Sequence, residues 1–498
     1  MRPSSHRPPG ARDRGPGTRP AAGRRRRAIR RSGGRPLRLG VALGVEAWRR
    51  RGSPGRGARG AGLRRAVRVR RRSRAIAGVS VLALGAGLAA CAPGDSTPVL
   101  TWYTNPDAGG QAKLAQQCTE EADGAYRIEV SVLPRDASSQ REQLARRLAA
   151  SDSSIDLMSL DPPFIPELAN AGFLAPVPDD IAEQVSQDVA EGALQGASWG
   201  DELVTVPFWA NTQLLWYKKS VAEAAGLDPA AAPVTWDQVM DAARDQDKTL
   251  GVQGIKAEAY TVWINALVES AGGHIVENPE ASAEDVELGL ESDAGKEAAR
   301  IIGEIGSDRL GGAGLPTQDE NASLTQFQGD SGSFMVNWPF VWPAMQASVE
   351  DGALDQSFLD DVGWAVYPQV TEGTDAAPPY GGINLGVGAF SEHVDEAYEA
   401  AACIVKPENQ AAYFVSDGNP PSSTVAYDDP TVQETFPMAD VIRQSLEQAA
   451  PRPQTPYYNE VSQGLQETWH PAASVDPDRT PQESTDFITA VLRGERLL

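Results

Sequence analysis

Alternating and periodic apolar positions predict an α/β chain from residue 99 onwards. The pattern predicts strands at Val99–Tyr103, Tyr126–Leu133 and Ile155–Leu160. Each strand is followed by a predicted helix, at 109–122, 138–150 and 164–171 respectively. This order is typical of a parallel sheet with crossover helices. Ligands of such sheets bind at the carboxyl ends of the strands, where Asn105 and Asp161 follow the first and third strands.

The later pattern predicts a second lobe and a return of the chain to the first. Strands are expected at 204–208, 213–217, 334–338, 363–367 and 382–390, and helices at 219–225, 235–246, 258–272, 293–306, 320–328, 394–404, 408–417, 436–448, 458–469 and 480–492. The alternation of strand-rich and helical stretches predicts two α/β lobes, each a mostly parallel sheet flanked by helices. The expected boundaries are 99–210 with 331–382 for the N-lobe, and 211–330 with 383–498 for the C-lobe.

The N-terminus has the pattern of a targeting segment. Residues 1–74 carry 25 arginines and two acidic residues, which predicts a disordered head and a basic n-region. Residues 75–90 form an apolar run too short for a confident membrane span, and Leu88-Ala-Ala-Cys91 resembles the lipobox of bacterial lipoproteins. The prediction is a lipid on Cys91 and a tether over 91–98. The alternatives are a nucleic-acid-binding basic tail, and an ordinary signal peptide with a chance cysteine.

Charge and composition narrow the function of the remaining chain. Residues 75–498 carry 20 basic and 65 acidic residues, a charge balance that argues against a folded domain that binds nucleic acid or anionic lipid. Four histidines, one of them in the head, leave little material for a His-rich metal site or a His-based triad. No metal and no cofactor are expected. The even pair Cys118 and Cys403 in an exported domain predicts one disulfide, with two buried free thiols as the alternative.

Aromatic residues beside polar ones suggest carbohydrate recognition. Sugars present apolar C–H faces and rings of hydroxyls, so their sites combine aromatic platforms with carboxylate, amide and guanidinium groups. Trp338 and Phe340 lie near such groups in sequence, although core packing is the alternative for any single tryptophan. Arg452 lies between two prolines and is either a site donor or a surface salt-bridge partner. Asp161 and Glu258 also allow a general acid and base pair, as in a glycoside hydrolase.

Several ordered motifs together resemble the extracellular solute-binding proteins of ABC sugar importers, a family that includes maltose-binding proteins. The motifs are Leu100–Tyr103, Ile155–Asp161, Phe164–Pro176, Val206–Tyr217, Thr235–Asp237, Phe334–Phe340, Gly381–Asn384 and Arg452–Pro456. The details of Asn211–Tyr217, Asn337–Val341, Gly381–Asn384 and Arg452–Pro456 are most similar to the trehalose-recognising lipoproteins of high-GC Gram-positive bacteria. A cysteine pair similar to Cys118 and Cys403 occurs in that group.

The resemblance implies a two-lobe periplasmic-binding-protein fold of type II that closes on a sugar. The sugar contacts that it implies, together with the strand-end residue Asn105, are Asp161, Asn211, Glu258, Tyr260, Trp263, Trp338, Phe340, Gly382 and Arg452. It also implies a monomer anchored by lipid to the outer face of the cytoplasmic membrane, with an ABC permease and ATPase as partners. The expected ligand is an α-linked disaccharide, most of all trehalose. The alternatives are a surface glycoside hydrolase and a binding lipoprotein for a glycerophosphodiester, polyol or peptide.

Overall fold

The computed structural model describes residues 97–200 and 202–498. The predicted head, the signal segment and the lipidation site at Cys91 lie outside these residues. Within the described part of the chain, no helix is both long and apolar enough to cross a membrane.

Two sheets organise the described chain. The strands are β1 Val99–Thr104, β2 Arg127–Val132, β3 Leu157–Leu160, β4 Ser198–Trp199, β5 Glu202–Leu203, β6 Val206–Thr212, β7 Leu214–Lys218, β8 Thr249–Gly251, β9 Gly332–Asn337, β10 Val362–Ala365 and β11 Tyr380–Val387. The first sheet has the order β2-β1-β3-β11-β6, and the second has the order β10-β7-β9-β8. β11 runs antiparallel to β3 and β6, and β7 runs antiparallel to β9 and β10. One reversed strand therefore lies inside each otherwise parallel sheet.

Helices cover the sheets and fill the connections between strands. They are α1 Gly110–Glu121, α2 Ala137–Leu148, α3 Ile165–Asn170, α4 Asp179–Val185, α5 Glu191–Gly196, α6 Lys219–Ala224, α7 Trp236–Asp245, α8 Glu258–Ser270, α9 Asp293–Ser307, α10 Glu320–Gln328, α11 Val341–Glu350, α12 Gln356–Asp361, α13 Val394–Ile404, α14 Pro407–Asp417, α15 Pro430–Thr435, α16 Ala439–Gln448, α17 Tyr458–Trp469 and α18 Thr480–Leu492. Local chemistry explains several helix starts. Thr235 and Gln238 form a capping box at α7, and the Asp136 and Asp319 carboxylates accept backbone N–H groups at α2 and α10.

The predicted two-lobe α/β fold is confirmed, and the sheets show how the chain is divided between the lobes. The chain first crosses between β6 and β7, at Gln213, close to the expected position. β9 and β10 belong to the second sheet, however, and β11 belongs to the first. The expected boundaries at 331 and 383 therefore differ from the strand pairing. An apolar strand pattern predicts burial but carries no information about which sheet supplies the neighbours.

The return of the chain also places α13 in the first lobe. Ala397, Tyr398 and Ala401 of this helix pack in the same apolar core as Trp102 and Leu157 of the first sheet. A disulfide joins Cys118 of α1 to Cys403 of α13, with their Cα atoms 5.9 Å apart. The predicted pairing of these two cysteines is present. The disulfide thus links α13, late in the chain, to α1, the first helix of the described residues.

Candidate functional site

A cleft of about 520 Å3 lies between the two sheets and collects most of the predicted site residues. The predicted residues that line it are Asn105, Asp161, Asn211, Glu258, Trp338, Phe340, Gly382 and Arg452. Asn105 and Asp161 follow the carboxyl ends of β1 and β3, which is where a parallel sheet leaves backbone and side chains free for a ligand. Glu258 enters from the second lobe as the first residue of α8.

Arg452 joins carboxylates from both lobes in the cleft. Its Nη2 donates to Asp161 Oδ1 at 2.5 Å, and its Nη1 donates to Asp161 Oδ2 at 3.1 Å and to Glu258 Oε1 at 2.7 Å. The arginine is 4% exposed. Burial alone would lower the pKa of Arg452, but the facing Asp161, Tyr458 and Glu258 raise it well above its ordinary value. The guanidinium therefore stays charged, and its charge is balanced inside the protein.

Two residues that the sequence did not indicate hold the Glu258 carboxylate. The Tyr458 hydroxyl donates to Glu258 Oε1, and Ser462 Oγ donates to Oε2 at 2.7 Å. Both donors lie on α17, which packs against α8. Burial raises the pKa of Glu258, and the charge of Arg452 and these two hydrogen bonds oppose the rise, while Asp161 adds to it. The carboxylate is thus fixed in orientation by three donors.

The aromatic wall of the cleft depends on two glycines. Trp338 and Phe340 follow β9 and are half-buried, so part of each side chain faces the cleft. A Cβ on Gly381 would lie 3.0 Å from the Trp338 ring, and a Cβ on Gly382 would lie 2.1 Å from the Trp209 carbonyl oxygen. Gly382 also has φ of 126°, which side chains with a Cβ rarely adopt. Glycines at these positions let β11 approach both β6 and the indole ring.

Two predicted residues lie elsewhere, and their assignment is corrected. Tyr260 and Trp263 do not line the cleft; both side chains are 0% exposed and belong to the apolar core of the second lobe. The Tyr260 hydroxyl donates to the Trp469 carbonyl at 2.8 Å, and burial raises the pKa of Tyr260 far above its ordinary value. Both residues therefore position α8 rather than face the cleft.

Several cleft residues escaped the sequence analysis. They are Arg135, Asp136, Gln140, Asp319, Glu320 and Asn419, together with the apolar Val262. Trp209, one of the tryptophans that stand beside polar residues in the sequence, lines the cleft as well. Asp136 and Asp319 cap the starts of α2 and α10. A helix start predicted from sequence carries no information about the surface that its cap faces. Burial raises the pKa of Glu320, which begins α10, whereas the nearby Trp338 and Arg135 lower it.

Two polar atoms at the cleft lack hydrogen-bond partners among the described residues. One is the donor Nε of Arg452, and the other is the acceptor Oδ1 of Asn105; both atoms are buried. Buried polar groups are normally paired, so such atoms next to a cavity indicate where a ligand or water bonds. The described residues contain no group of three or more His, Cys, Asp or Glu arranged to hold a metal ion.

Comparison with known proteins gives the chain its relatives. Residues 106–411 match the family described as bacterial extracellular solute-binding protein. The chain is similar to the probable ABC transporter-binding protein of Deinococcus radiodurans, with 23% identity over 353 residues, 67% of this chain and 79% of that protein. It is also similar to the sn-glycerol-3-phosphate-binding periplasmic protein UgpB of Salmonella paratyphi A, with 24% identity over 318 residues, 59% of this chain and 67% of that protein.

A solved structure shares the fold. The maltose-bound MalE3 of T. maritima superposes with a TM-score of 0.68 and 22% sequence identity, covering 80% of this chain and 100% of that one. These relatives are solute-binding proteins and not enzymes. The expected type II periplasmic-binding fold is thereby confirmed.

Proposed function

Since the chain belongs to the family of bacterial extracellular solute-binding proteins, and so serves an ABC importer, we propose that its solute is an α-linked disaccharide, trehalose in particular. The sugar would bind between the two lobes and pass to a membrane permease driven by an ATPase. Cys91, if lipidated, would hold the protein at the outer face of the cytoplasmic membrane.

The unpartnered atoms in the cleft carry this proposal. Arg452 Nε needs an acceptor and Asn105 Oδ1 needs a donor. A hydroxyl group is both, so a polyhydroxylated ligand satisfies the two atoms with one kind of group. An ionised phosphate group supplies acceptors only, so a phosphate ester would have to meet Asn105 Oδ1 with a hydroxyl elsewhere in the ligand.

The carboxylates supply further acceptors for hydroxyls. Asp161 and Glu258 each keep lone pairs beyond those that bond to Arg452. One carboxylate comes from each lobe, so a sugar that bonds both favours the closed arrangement of the lobes. Asn211 and the backbone at Gly382 are additional proposed contacts.

The aromatic wall and the size of the cleft support a disaccharide. Half-buried Trp338 and Phe340 offer surfaces on which the C–H faces of pyranose rings stack. A cavity of about 520 Å3 lies within the usual range for small-molecule sites. The relative with maltose bound, MalE3, is a further reason to favour an α-linked glucose disaccharide.

The second candidate ligand is a glycerol phosphate or glycerophosphodiester. UgpB of Salmonella paratyphi A is named for sn-glycerol 3-phosphate, which is the observation that favours this candidate. For this candidate the cleft must hold an anionic phosphate group, whereas a disaccharide is neutral, so the two candidate ligands differ in charge.

Isothermal titration of the full chain distinguishes the candidates. We expect saturable binding of trehalose, weaker binding of maltose or sucrose, and little binding of glucose. Arg452→Ala should weaken binding by about 2–4 kcal/mol, because it removes a buried donor and leaves two carboxylates without their partner. Circular dichroism checks that this variant folds, and Arg452→Lys keeps the charge without the planar donor fork.

Two outcomes would count against the sugar assignment. One is binding of sn-glycerol 3-phosphate with no binding of any disaccharide. The other is an affinity of Arg452→Ala within twofold of the wild type. The anchor is tested separately by Cys91→Ser, which should move the protein from the membrane fraction to the medium while the trehalose affinity stays unchanged.

A further inference from the structure

The cleft carries charged groups that the proposed sugar contacts do not use. Arg135 and Asp136 belong to the first lobe, at the start of α2, and Asp319 and Glu320 belong to the second lobe, at the start of α10. Arg135 forms no ion pair with any described residue. We call Asp136, Asp319 and Glu320 the acidic rim.

The charges inside the cleft are unbalanced. Five carboxylates line it and only two guanidinium groups, those of Arg135 and Arg452. Arg452 is already bonded to Asp161 and Glu258, so its positive charge is neutralised before any ligand arrives. What remains is the acidic rim, in which Asp136 and Asp319 also accept N–H groups at the starts of α2 and α10, against Arg135 alone.

A second observation concerns what Arg452 still offers to a ligand. The residue is more than nine-tenths buried, and its Nε has no partner among the described residues. A guanidinium whose charge is balanced provides a directional hydrogen-bond donor rather than an uncompensated cation. A neutral hydroxyl oxygen suits such a donor, whereas a phosphate would meet the donor together with five carboxylates.

We propose that the acidic rim excludes anionic solutes, so that the cleft accepts neutral sugars and rejects phosphorylated sugars and glycerol phosphates. This inference rests on the proposed function, and it names the class of solute that the same site refuses. Like charges placed against a competing ligand provide specificity without any added contact to the correct one. The strongly acidic body, with 65 acidic and 20 basic residues over 75–498, acts in the same direction at long range.

The test compares trehalose with trehalose 6-phosphate by titration at pH 8 and low salt. We expect the wild type to bind the neutral sugar at least 100-fold more tightly. In the double variant Asp319→Asn with Glu320→Gln, this ratio should fall at least tenfold, because amides of nearly the same shape replace two carboxylates. Arg135→Gln should increase the ratio. The ratio is the readout, so a variant that merely misfolds weakens both ligands and does not mimic the effect.

A matched control separates the rim from overall charge. Glu350 and Asp351 are an adjacent acidic pair, exposed and outside the cleft. Glu350→Gln with Asp351→Asn changes the net charge by the same amount and should leave the ratio unchanged. Added salt should lower the wild-type ratio and have less effect on the rim variant.

The outcomes also distinguish this inference from the proposed function. If trehalose binds and the 6-phosphate binds within threefold of it, the acidic rim is not a filter, although the sugar assignment stands. An unchanged ratio in the rim variant has the same meaning. If the wild type binds sn-glycerol 3-phosphate in place of any disaccharide, or binds no sugar at all, both ideas are overturned.

Discussion

At the scale of single residues, the central feature is one arginine shared by two carboxylates. Arg452 bonds Asp161 from the first lobe and Glu258 from the second, and all three side chains are largely withdrawn from water. A buried ion pair adds little net stability, because desolvation offsets the attraction, yet loss of one partner is costly. The arrangement therefore fixes the positions of polar groups at the cleft more than it stabilises the fold.

The pH dependence of ligand binding should report Glu258. Burial raises the pKa of its carboxyl above the ordinary value of 4.5. Above the raised pKa the carboxylate pairs with Arg452 and accepts a hydroxyl; below it, the protonated form does neither as well. The affinity for a neutral disaccharide should thus fall as the pH is lowered, with a midpoint above 4.5.

Calorimetry between pH 5 and 8 measures this effect. Glu258→Gln removes the titrating group and should bind more weakly with a flatter pH profile. Tyr458→Phe removes a donor that favours the ionised carboxyl, so its midpoint should move to higher pH. A wild-type affinity that rises on acidification would contradict this role of Glu258.

Tyr260 provides a prediction that separates core from cleft. Because its hydroxyl bonds the Trp469 carbonyl inside the second lobe, Tyr260→Phe should lower the free energy of unfolding by about 1–2 kcal/mol. The affinity for the disaccharide should stay within twofold of the wild type. Urea unfolding and calorimetry measure the two quantities. A large loss of affinity with unchanged stability would indicate that Tyr260 contacts the ligand after all.

At the scale of elements, the sequence predicted local structure better than its assembly. The bounds of β1, α1, α8 and α13 were predicted to within about two residues, because each has a clear apolar period or a turn at its end. The short β8 was not predicted, because three residues are too few to show a period. The helix α11 was not predicted either, because a proline in its first turn argues against a helix. Which sheet a strand joins depends on partners that are distant in sequence. The lobe boundaries after residue 330 therefore could not be predicted from the local apolar pattern.

Helix geometry explains which of the predicted site residues on α8 line the cleft and which do not. Successive residues of α8 turn by about 100°, so Val262 points almost the same way as Glu258, and both line the cleft. Tyr260 lies about 200° around the helix from Glu258, and Trp263 about 140°. The helical period therefore places these aromatics away from the cleft, whereas the family resemblance had implied a sugar contact. Arg135 and Glu320 had no such signal, because facing across lobes is a tertiary property.

The disulfide joins two elements, and its effect should be on stability alone. It links α1 to α13 across 285 positions of sequence, and neither cysteine lines the cleft. Cys118→Ala with Cys403→Ala should reduce the free energy of unfolding by about 2–5 kcal/mol, because the unfolded chain is no longer constrained. Urea titration measures the loss. Dithiothreitol should destabilise the wild type but leave the variant unaffected, and a change in ligand affinity would argue against a purely structural bridge.

At the scale of the whole molecule, the acidic excess predicts a response to salt. Residues 75–498 carry 65 acidic and 20 basic residues, and such self-repulsion opposes the compact state. Raising sodium chloride from 20 to 500 mM should raise the midpoint of thermal unfolding, by roughly 1 °C for each kcal/mol of repulsion that is screened in a unit of about 400 residues. Differential scanning calorimetry without ligand measures the shift. A midpoint that falls with salt would indicate that attractive ion pairs, such as those of Arg300, dominate instead.

The position of β11 has a consequence for how the protein is made. This strand lies between β3 and β6, both of which precede it by a long stretch of chain. During synthesis and export, β3 and β6 therefore emerge before their shared partner strand. The edges that face β11 stay unpaired until the chain has emerged as far as residue 387. Completion of the first lobe is a late event, and the second sheet has all its strands before the first does. A chain that stops short of β11 should carry two exposed strand edges, which makes truncated translation products of this protein prone to aggregate.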